Sequence, residues 1–157
     1  MAQVANITIQ QQPERYFVSI RKNIHFFNEY ADFLGKSIHT LLPMIEQNNT
    51  YPSSGLTVCF HNMELENLDV EVGYVVASQL EINGDVLLTK QPSRSIVLAI
   101  DRGPYEKQDP TLEALMQWIN NHGYEMDGGI YYHYLNGEEQ DVEEYLTQMY
   151  IPIVKSI

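Results

Sequence analysis

The sequence predicts an α+β fold in which two strand-helix-strand-strand units follow one another and form antiparallel sheets. Segments rich in β-branched and aromatic residues alternate with two long helical patterns. The order of these segments repeats, because Val97 follows Val18 by 79 residues and Gln148 follows Glu71 by 77. The chain has 157 residues, 44% of them hydrophobic, so we expect a single domain over residues 1–157, with pseudo-repeat halves of about 14–90 and 93–155.

The first half contains the longer helix. Residues 7–13 read as a loosely held lead-in, and apolar residues at three- and four-residue steps then predict a helix from about Phe26 to Gln47. Pro43 is expected to kink this helix, because proline lacks an amide donor and its ring clashes with the preceding turn. The predicted buried face consists of Phe27, Tyr30, Leu34, Ile38, Leu41 and Ile45. Strands are predicted at 15–21, 56–61, 69–76 and 86–89, the last of which is either a strand or a connector.

The second half has a helix with clearer end signals. Asp109 is the predicted N-cap, Pro110 suits the first helical position, and Gly123 is expected to stop the helix. Strands are predicted at 95–100, 129–135 and 146–154.

The last strand presents two different faces. Read with a period of two, Met149, Ile151 and Ile153 form an apolar face that is expected to pack. Gln148 and Tyr150 share the other face, which can meet a ligand. Two halves with this pattern are expected to leave a cleft along their pseudo-symmetry axis, a usual place for a small molecule.

Composition excludes several classes of function. The chain has 21 acidic against 9 basic side chains and a net charge of −12, which argues against direct binding to nucleic acid or an anionic membrane. No export signal and no apolar run of membrane-spanning length is present, so we expect a cytoplasmic protein. Cys59, the single cysteine, lies in an apolar run and is expected to be a small buried hydrophobe.

Motifs for metal, cofactor and covalent catalysis are missing. The five histidines show no metal-ligand spacing, and there is no phosphate-binding glycine loop, nucleophile elbow or Cys-His motif. We therefore predict no metal, no cofactor and no catalytic residues.

Several short motifs, in this order, resemble one known family. They are the strand Asp69-x-Glu71-x-Gly73, the turn Gly103-Pro104-Tyr105 before a helix with Trp118-Ile119, and the ending Thr147-Gln148-Met149-Tyr150-Ile151-Pro152. Together they resemble the GyrI-like small-molecule-binding domain, in its stand-alone form, from about Pro13 to Ile153. That domain also forms the effector-binding half of some bacterial transcription activators. The resemblance implies a duplicated fold with a ligand cleft between its halves, used for lipophilic and often cationic compounds.

The chain departs from the family pattern at two positions. Gln148 stands where the family usually has a glutamate that faces a cationic ligand, and Tyr132 stands where a second acid is expected. Tyr134 and Leu135, in contrast, match the family pattern. Some stand-alone relatives hydrolyse cyclopropane-containing compounds with cleft glutamates and a tyrosine, and the loss of both acids disfavours that chemistry here.

The residues that remain predict a ligand site with one acid and many aromatic rings. Glu71 can attract a cation at a low-dielectric wall, or it can be an ordinary solvated acid. Tyrosine rings can stack on flat molecules or hold a cation, or they can belong to the core of the sheet. The predicted ligand-binding residues are Glu71, Tyr105, Trp118, Tyr132, Tyr134, Gln148 and Tyr150.

Three functions are consistent with this sequence. The first is binding of hydrophobic, cationic or neutral, small molecules, for sensing or sequestration linked to transcription regulation or to a drug or toxin response. The second is regulation through a protein partner such as a transcription complex or gyrase. The third is hydrolysis of reactive lipophilic electrophiles.

Overall fold

The computed structural model describes residues 6–137 and 139–157, and in this part of the chain nine β-strands accompany two α-helices. The strands of each compact unit described below pair in antiparallel fashion. The predicted α+β class with antiparallel sheets is therefore confirmed. The elements are β1 (Thr8–Gln12), β2 (Arg15–Ile24), α1 (Phe26–Gln47), β3 (Thr57–Phe60), β4 (Leu68–Val76), β5 (Leu87–Gln91), β6 (Arg94–Arg102), α2 (Asp109–Asn121), β7 (Tyr124–Met126), β8 (Ile130–Tyr134) and β9 (Leu146–Lys155).

The chain forms two compact units. Unit A comprises residues 14–92, and unit B combines residues 93–157 with the start of the chain up to Pro13. The strand order in unit A is β3-β4-β2-β5. In unit B it is β1-β6-β9-β8, and β7 also pairs with β9.

Strand pairing follows the same register in both units. Val18 of β2 lies opposite Tyr74 of β4 in unit A. In unit B, Val97 of β6 lies opposite Ile151 of β9. These partners are 79 and 77 residues further along the chain, the offsets at which the sequence pattern repeats. Each unit thus has a central strand pair built in the same way.

The core of unit A lies between α1 and one sheet face. Leu41 and Ile45 of the helix are fully buried against Val18 and the partly buried Ile20. At the start of the helix Phe27 was expected in the core, but its side chain is 73% exposed. The helix turns this first ring outward and buries Phe33, Ser37, Leu41, Met44 and Ile45 instead.

The core of unit B lies between α2 and its own sheet. Leu115 and Ile119 pack there with the predicted apolar face of β9. Met149, Ile151 and Ile153 are at most 3% exposed, so this face of the last strand is indeed the packing face. The helix ends where Gly123 adopts a positive φ of 76°, a conformation that glycine reaches without a Cβ penalty.

Three local features differ from the sequence prediction. Residues expected to form a loose lead-in form strand β1, which pairs with β6 from Thr8 to Gln12. Strand β7 was not predicted. The N-cap of α2 is Gln108, so Asp109 is the first helical residue rather than the cap. Neither of the two helices in the described residues combines the length and apolar character needed to cross a membrane.

Candidate functional site

In unit A, the sheet face opposite α1 carries a group of polar side chains. Side chains of a strand alternate between faces, so Ser19 points away from the α1 core that contains Val18. Glu71 alternates in the same way with Val70 and Val72, and its register places it beside Ser19. The residues of this face therefore come from β2, β4 and the end of β3.

Glu71 is held by two hydrogen bonds. The Ser19 hydroxyl donates to Oε2 at 2.5 Å, and Nε2 of His61 lies 2.8 Å from Oε1 and donates to it, since a carboxylate only accepts. The side chain is 8% exposed. Burial alone raises the pKa of Glu71, but the bonds from His61 and Ser19 together outweigh it and hold the pKa below its usual value of 4.5. Glu71 is thus a fixed, buried carboxylate.

The same imidazole approaches the single cysteine. Nδ1 of His61 lies 4.0 Å from Sγ of Cys59, which occupies the position opposite Glu71 on β3. A thiol, an imidazole and a carboxylate in this order resemble an activated cysteine. Cys59 is fully buried, in agreement with its predicted core position.

At the edge of this group lies an ion pair. Both Nε and Nη2 of Arg21 donate to the carboxylate of Asp69, at 2.8 and 2.7 Å. The hydrogen bond from Arg21 lowers the pKa of Asp69. This bidentate pair anchors β2 to β4 beside Glu71, the partner of Arg21 in the strand register.

In unit B, the corresponding sheet face carries Gln148. Its register partner on β8 is His133, whose Nδ1 lies 3.2 Å from Oε1 of Gln148. Because an amide oxygen only accepts, His133 is the donor. Each unit therefore places a histidine beside the residue at the repeated position, Glu71 in one unit and Gln148 in the other. The pair in unit B carries no carboxylate.

A stack of three flat groups lies next to Gln148. The rings of Tyr131 and Tyr150 are parallel within 8°, with centroids 4.7 Å apart. The guanidinium carbon of Arg94 lies 5.0 Å from the centroid of the Tyr131 ring. Nε of Arg94 donates to Oε1 of Gln12 at 2.8 Å. The stack therefore combines aromatic surface with a fixed positive charge.

The other predicted aromatic residues of unit B lie on the α2 side of the sheet. Tyr132 and Trp118 pack against the core of unit B, and Trp118 also stacks on His122. Tyr134 contacts Tyr105, which stacks on Tyr145 with centroids 4.9 Å apart. Tyr105 is 40% exposed, so this second aromatic group reaches the surface.

Beside that aromatic group a buried acid meets the start of α2. Oδ1 of Asp101 accepts a hydrogen bond from the Thr111 hydroxyl at 2.6 Å, whereas Oδ2 is buried without a hydrogen-bond partner among the described residues. Burial raises the pKa of Asp101 above its usual 3.8, and the bond from Thr111 offsets this only in part. Gln108 donates to the Thr147 hydroxyl at 2.9 Å, which fixes the turn before the helix.

The predicted site residues thus fall into three places. Gln148 and Tyr150 share the sheet face opposite α2, as the alternation of β9 indicated. Tyr105 meets Tyr134, while Trp118 and Tyr132 pack toward α2. Glu71 lies in unit A. Their roles in ligand binding stay predictions.

Sequence reasoning did not single out the partners of these residues, which are Ser19, His61, Arg94, Tyr131 and His133. The histidines carried a usable signal, since each lies next to the repeated Glu71 or Gln148 position once β3 and β8 are paired. In the described residues, no group of three or more His, Cys, Asp or Glu side chains could hold a metal ion.

Comparison with known families decides the classification. The model of the GyrI-like small molecule binding domain matches residues 5–154. The chain belongs to the GyrI-like family. No curated protein sequence matches this GyrI-like chain.

Solved structures share the fold of this GyrI-like chain. The EcmrR–DNA complex in EcmrR-RPo matches with a TM-score of 0.83 and 22% identity, over 97% of this chain but 58% of EcmrR. The EcmrR C-terminal domain alone matches with a TM-score of 0.74 and 23% identity, over 96% of this chain and 98% of that domain. The GyrI-like chain therefore spans little more than half of the longer EcmrR chain.

Two further structures are more distant in sequence. A hydrolase from Listeria innocua matches with a TM-score of 0.70 and 13% identity, over 97% of this chain and 93% of that one. SAV2435 bound to tetraphenylphosphonium matches with a TM-score of 0.65 and 13% identity, over 96% and 94% of the two chains. At these identities the likeness shows a common fold.

Proposed function

We propose that this protein binds hydrophobic small molecules in the cytoplasm and acts in sensing or sequestration linked to transcription regulation or to a drug or toxin response. The observation that carries the proposal is the match of the GyrI-like small molecule binding domain to residues 5–154. Tetraphenylphosphonium, the molecule bound to SAV2435, is a lipophilic aromatic ion of the expected kind. The finer prediction, a ligand held in a cleft between the halves, is part of this proposal.

Side-chain chemistry in unit B supports an aromatic ligand. Tyr131 and Tyr150 form a parallel stack, and Gln148 and His133 add neutral polar atoms on the same face. Rings of this kind stack on flat molecules and add to the energy of apolar burial. In unit A, the carboxylate of Glu71 already accepts bonds from His61 and Ser19, which reduces its attraction for a cation.

Binding can be tested with a neutral aromatic probe. N-phenyl-1-naphthylamine should gain fluorescence with the protein, and the melting temperature should rise with probe concentration, because a ligand of the native state stabilises that state. A panel of cationic, neutral and anionic aromatic dyes extends the test. If no dye in the panel changes either signal up to its solubility limit, the proposal is wrong.

Regulation through a protein partner would be an extension of ligand binding. The EcmrR chain is longer than this one and was solved in a complex with DNA, which motivates a search for a partner. A net charge of −12 disfavours direct contact of this chain with DNA. Affinity capture with and without a ligand from the dye panel should return a stoichiometric protein partner, and its absence in both conditions would contradict this extension.

Hydrolysis is the alternative function, and the specific observation in its favour is the ordered carboxylate of Glu71. With its pKa held below 4.5, Glu71 is ionised at neutral pH and can accept a proton as a general base. Turnover of a cyclopropane-bearing electrophile that disappears in Glu71→Gln would support this alternative. Binding without turnover would leave the protein as a binding module.

A further inference from the structure

The position at which the family carries an acid toward its ligand is neutral in unit B, and a cation lies on the same sheet face. Gln148 bonds to His133, so neither residue supplies a negative charge. Arg94 alternates with Ile96 and Leu98, which point away from the core residues Val97 and Ala99. The acid of β6, Asp101, has the opposite parity and lies with the α2 core.

The guanidinium of Arg94 is only partly used. Its Nε donates to Gln12, and its plane lies over Tyr131. Nη2 is buried and has no hydrogen-bond partner among the described residues. A buried donor on a charged group is costly to leave unpaired, so an acceptor that reaches Nη2 gains a charge-assisted hydrogen bond. Glu125 on β7 forms no ion pair with Arg94 in the part of the chain that the structure describes.

We propose that Arg94 selects aromatic ligands that carry an anionic oxygen group, a carboxylate or a sulfonate, and that the Tyr131–Tyr150 stack contacts their rings. The guanidinium fork matches such a group in geometry and charge. The inference rests on the proposed binding function and adds the charge class of the ligand. It predicts a preference opposite to that for the lipophilic cations that the family resemblance implies.

Unit A contains a matched control for Arg94. Arg15 lies 79 residues earlier, and its Nε donates to Oε1 of Gln91 at 2.9 Å, as Arg94 does to Gln12. The positions that pair opposite one another on β3 and β4 are Thr57 and Gly73, where unit B has Tyr131 and Tyr150. Arg15 therefore has the same arginine–glutamine bond without the tyrosine stack.

The test uses two probes that differ by one charged group. N-phenyl-1-naphthylamine and 8-anilinonaphthalene-1-sulfonate share their ring system, and only the second carries a sulfonate. Arg94→Met should weaken binding of the sulfonate probe by about tenfold, the effect of one charge-assisted bond, and change binding of the neutral probe by less than about twofold. Arg15→Met should leave both affinities near those of the unchanged protein. Arg94→Lys keeps the charge and should lie between the two extremes.

The outcomes separate this inference from the proposed function. If the neutral probe binds but Arg94→Met weakens both probes equally or neither, the inference is wrong and the binding function stands. If neither probe binds the unchanged protein, both fail. Thermal melts show whether Arg94→Met is folded. If it is not, the ionic-strength dependence of the unchanged protein decides, because added salt must weaken the sulfonate probe and spare the neutral one.

Discussion

Glu71 and His61 form the shortest contact between a carboxylate and an imidazole in the described residues, with Oε1 and Nε2 2.8 Å apart. The Ser19 hydroxyl completes the arrangement on the other carboxylate oxygen. Burial disfavours the ionised carboxylate, but the two donors favour it more strongly, so the pKa of Glu71 lies below its usual 4.5. Folding therefore gains free energy while Glu71 is ionised.

The first prediction is that Glu71→Gln removes a pH-dependent part of the stability. A lowered pKa stabilises the folded state fully above about pH 5, and this contribution is lost as the pH falls through the lowered pKa. Above that range the variant should be less stable by roughly 1–2 kcal/mol, the value of hydrogen bonds to a charged group. Urea unfolding from pH 7 to pH 3 should show the difference shrink on acidification.

An exposed glutamate provides the control for this experiment. Glu46 lies on the exposed side of α1, and Glu46→Gln should change the free energy of unfolding little at any of these pH values. A difference between Glu71→Gln and the unchanged protein that stays constant down to pH 3 would contradict the prediction.

The second prediction concerns the amide at the repeated position. Gln148→Glu places a carboxylate where Nδ1 of His133 already donates, so the new charge has a donor from the start. If this face meets the ligand, affinity for tetraphenylphosphonium should rise about tenfold, because a charge near a low-dielectric wall is weakly screened. Fluorescence competition against N-phenyl-1-naphthylamine measures this affinity.

The matching control adds the same charge elsewhere. Gln140 is exposed in the loop before β9, and Gln140→Glu should leave the affinity for the cation unchanged within error. Equal affinities in Gln148→Glu and the unchanged protein would show that residue 148 does not face the ligand.

The third prediction compares two glycines with opposite surroundings. A Cβ on Gly73 would clash with the carbonyl oxygen of Val18 and lie 2.8 Å from Cβ of Ser19. Backbone atoms cannot move aside easily, so Gly73→Ala should cost roughly 1–3 kcal/mol. A Cβ on Gly35, inside α1, would meet no atom within 4 Å, and Gly35→Ala should stabilise the protein by about 0.5–1 kcal/mol. Urea unfolding of both variants measures the two changes, and a stable Gly73→Ala protein would show that β2 and β4 can separate.

The two helices were predictable because their end signals are local. The periodic residues of α1 end at a polar loop, and Pro110 and Gly123 flank α2, so the predicted ends lie close to Phe26–Gln47 and Asp109–Asn121. Strand β1 lacked such a signal. Its sequence, Thr-Ile-Gln-Gln-Gln, has almost no apolar face, and it becomes a strand through its hydrogen bonds to β6, more than 80 residues away.

Face assignment within a strand was predictable, but register between strands was not. The alternation of β9 separated Met149 from Gln148 and Tyr150 correctly. Nothing in the sequence stated whether Tyr131 or Tyr132 lies opposite Tyr150, and a shift of one residue moves every side chain to the other face. The observed register pairs Tyr131 with Tyr150 and sends Tyr132 toward the α2 core, where it lies opposite Met149.

The last prediction is that Asp101 gives a pH dependence opposite in sign to that of Glu71. Its side chain is fully buried and burial raises its pKa above 3.8, so the folded protein binds a proton that the unfolded chain has already released. Stability must then fall as the pH rises from 3.8 through the raised pKa. Asp101→Asn keeps an acceptor for Thr111 and cannot ionise. Relative to the unchanged protein, the variant should therefore gain stability between pH 3.5 and pH 7, as measured by urea unfolding, whereas Asp127→Asn, at an exposed position, should show no such trend. A difference that moves against Asp101→Asn as the pH rises would mean that the carboxylate is stabilised in its ionised form, and that Oδ2 finds a donor in solution.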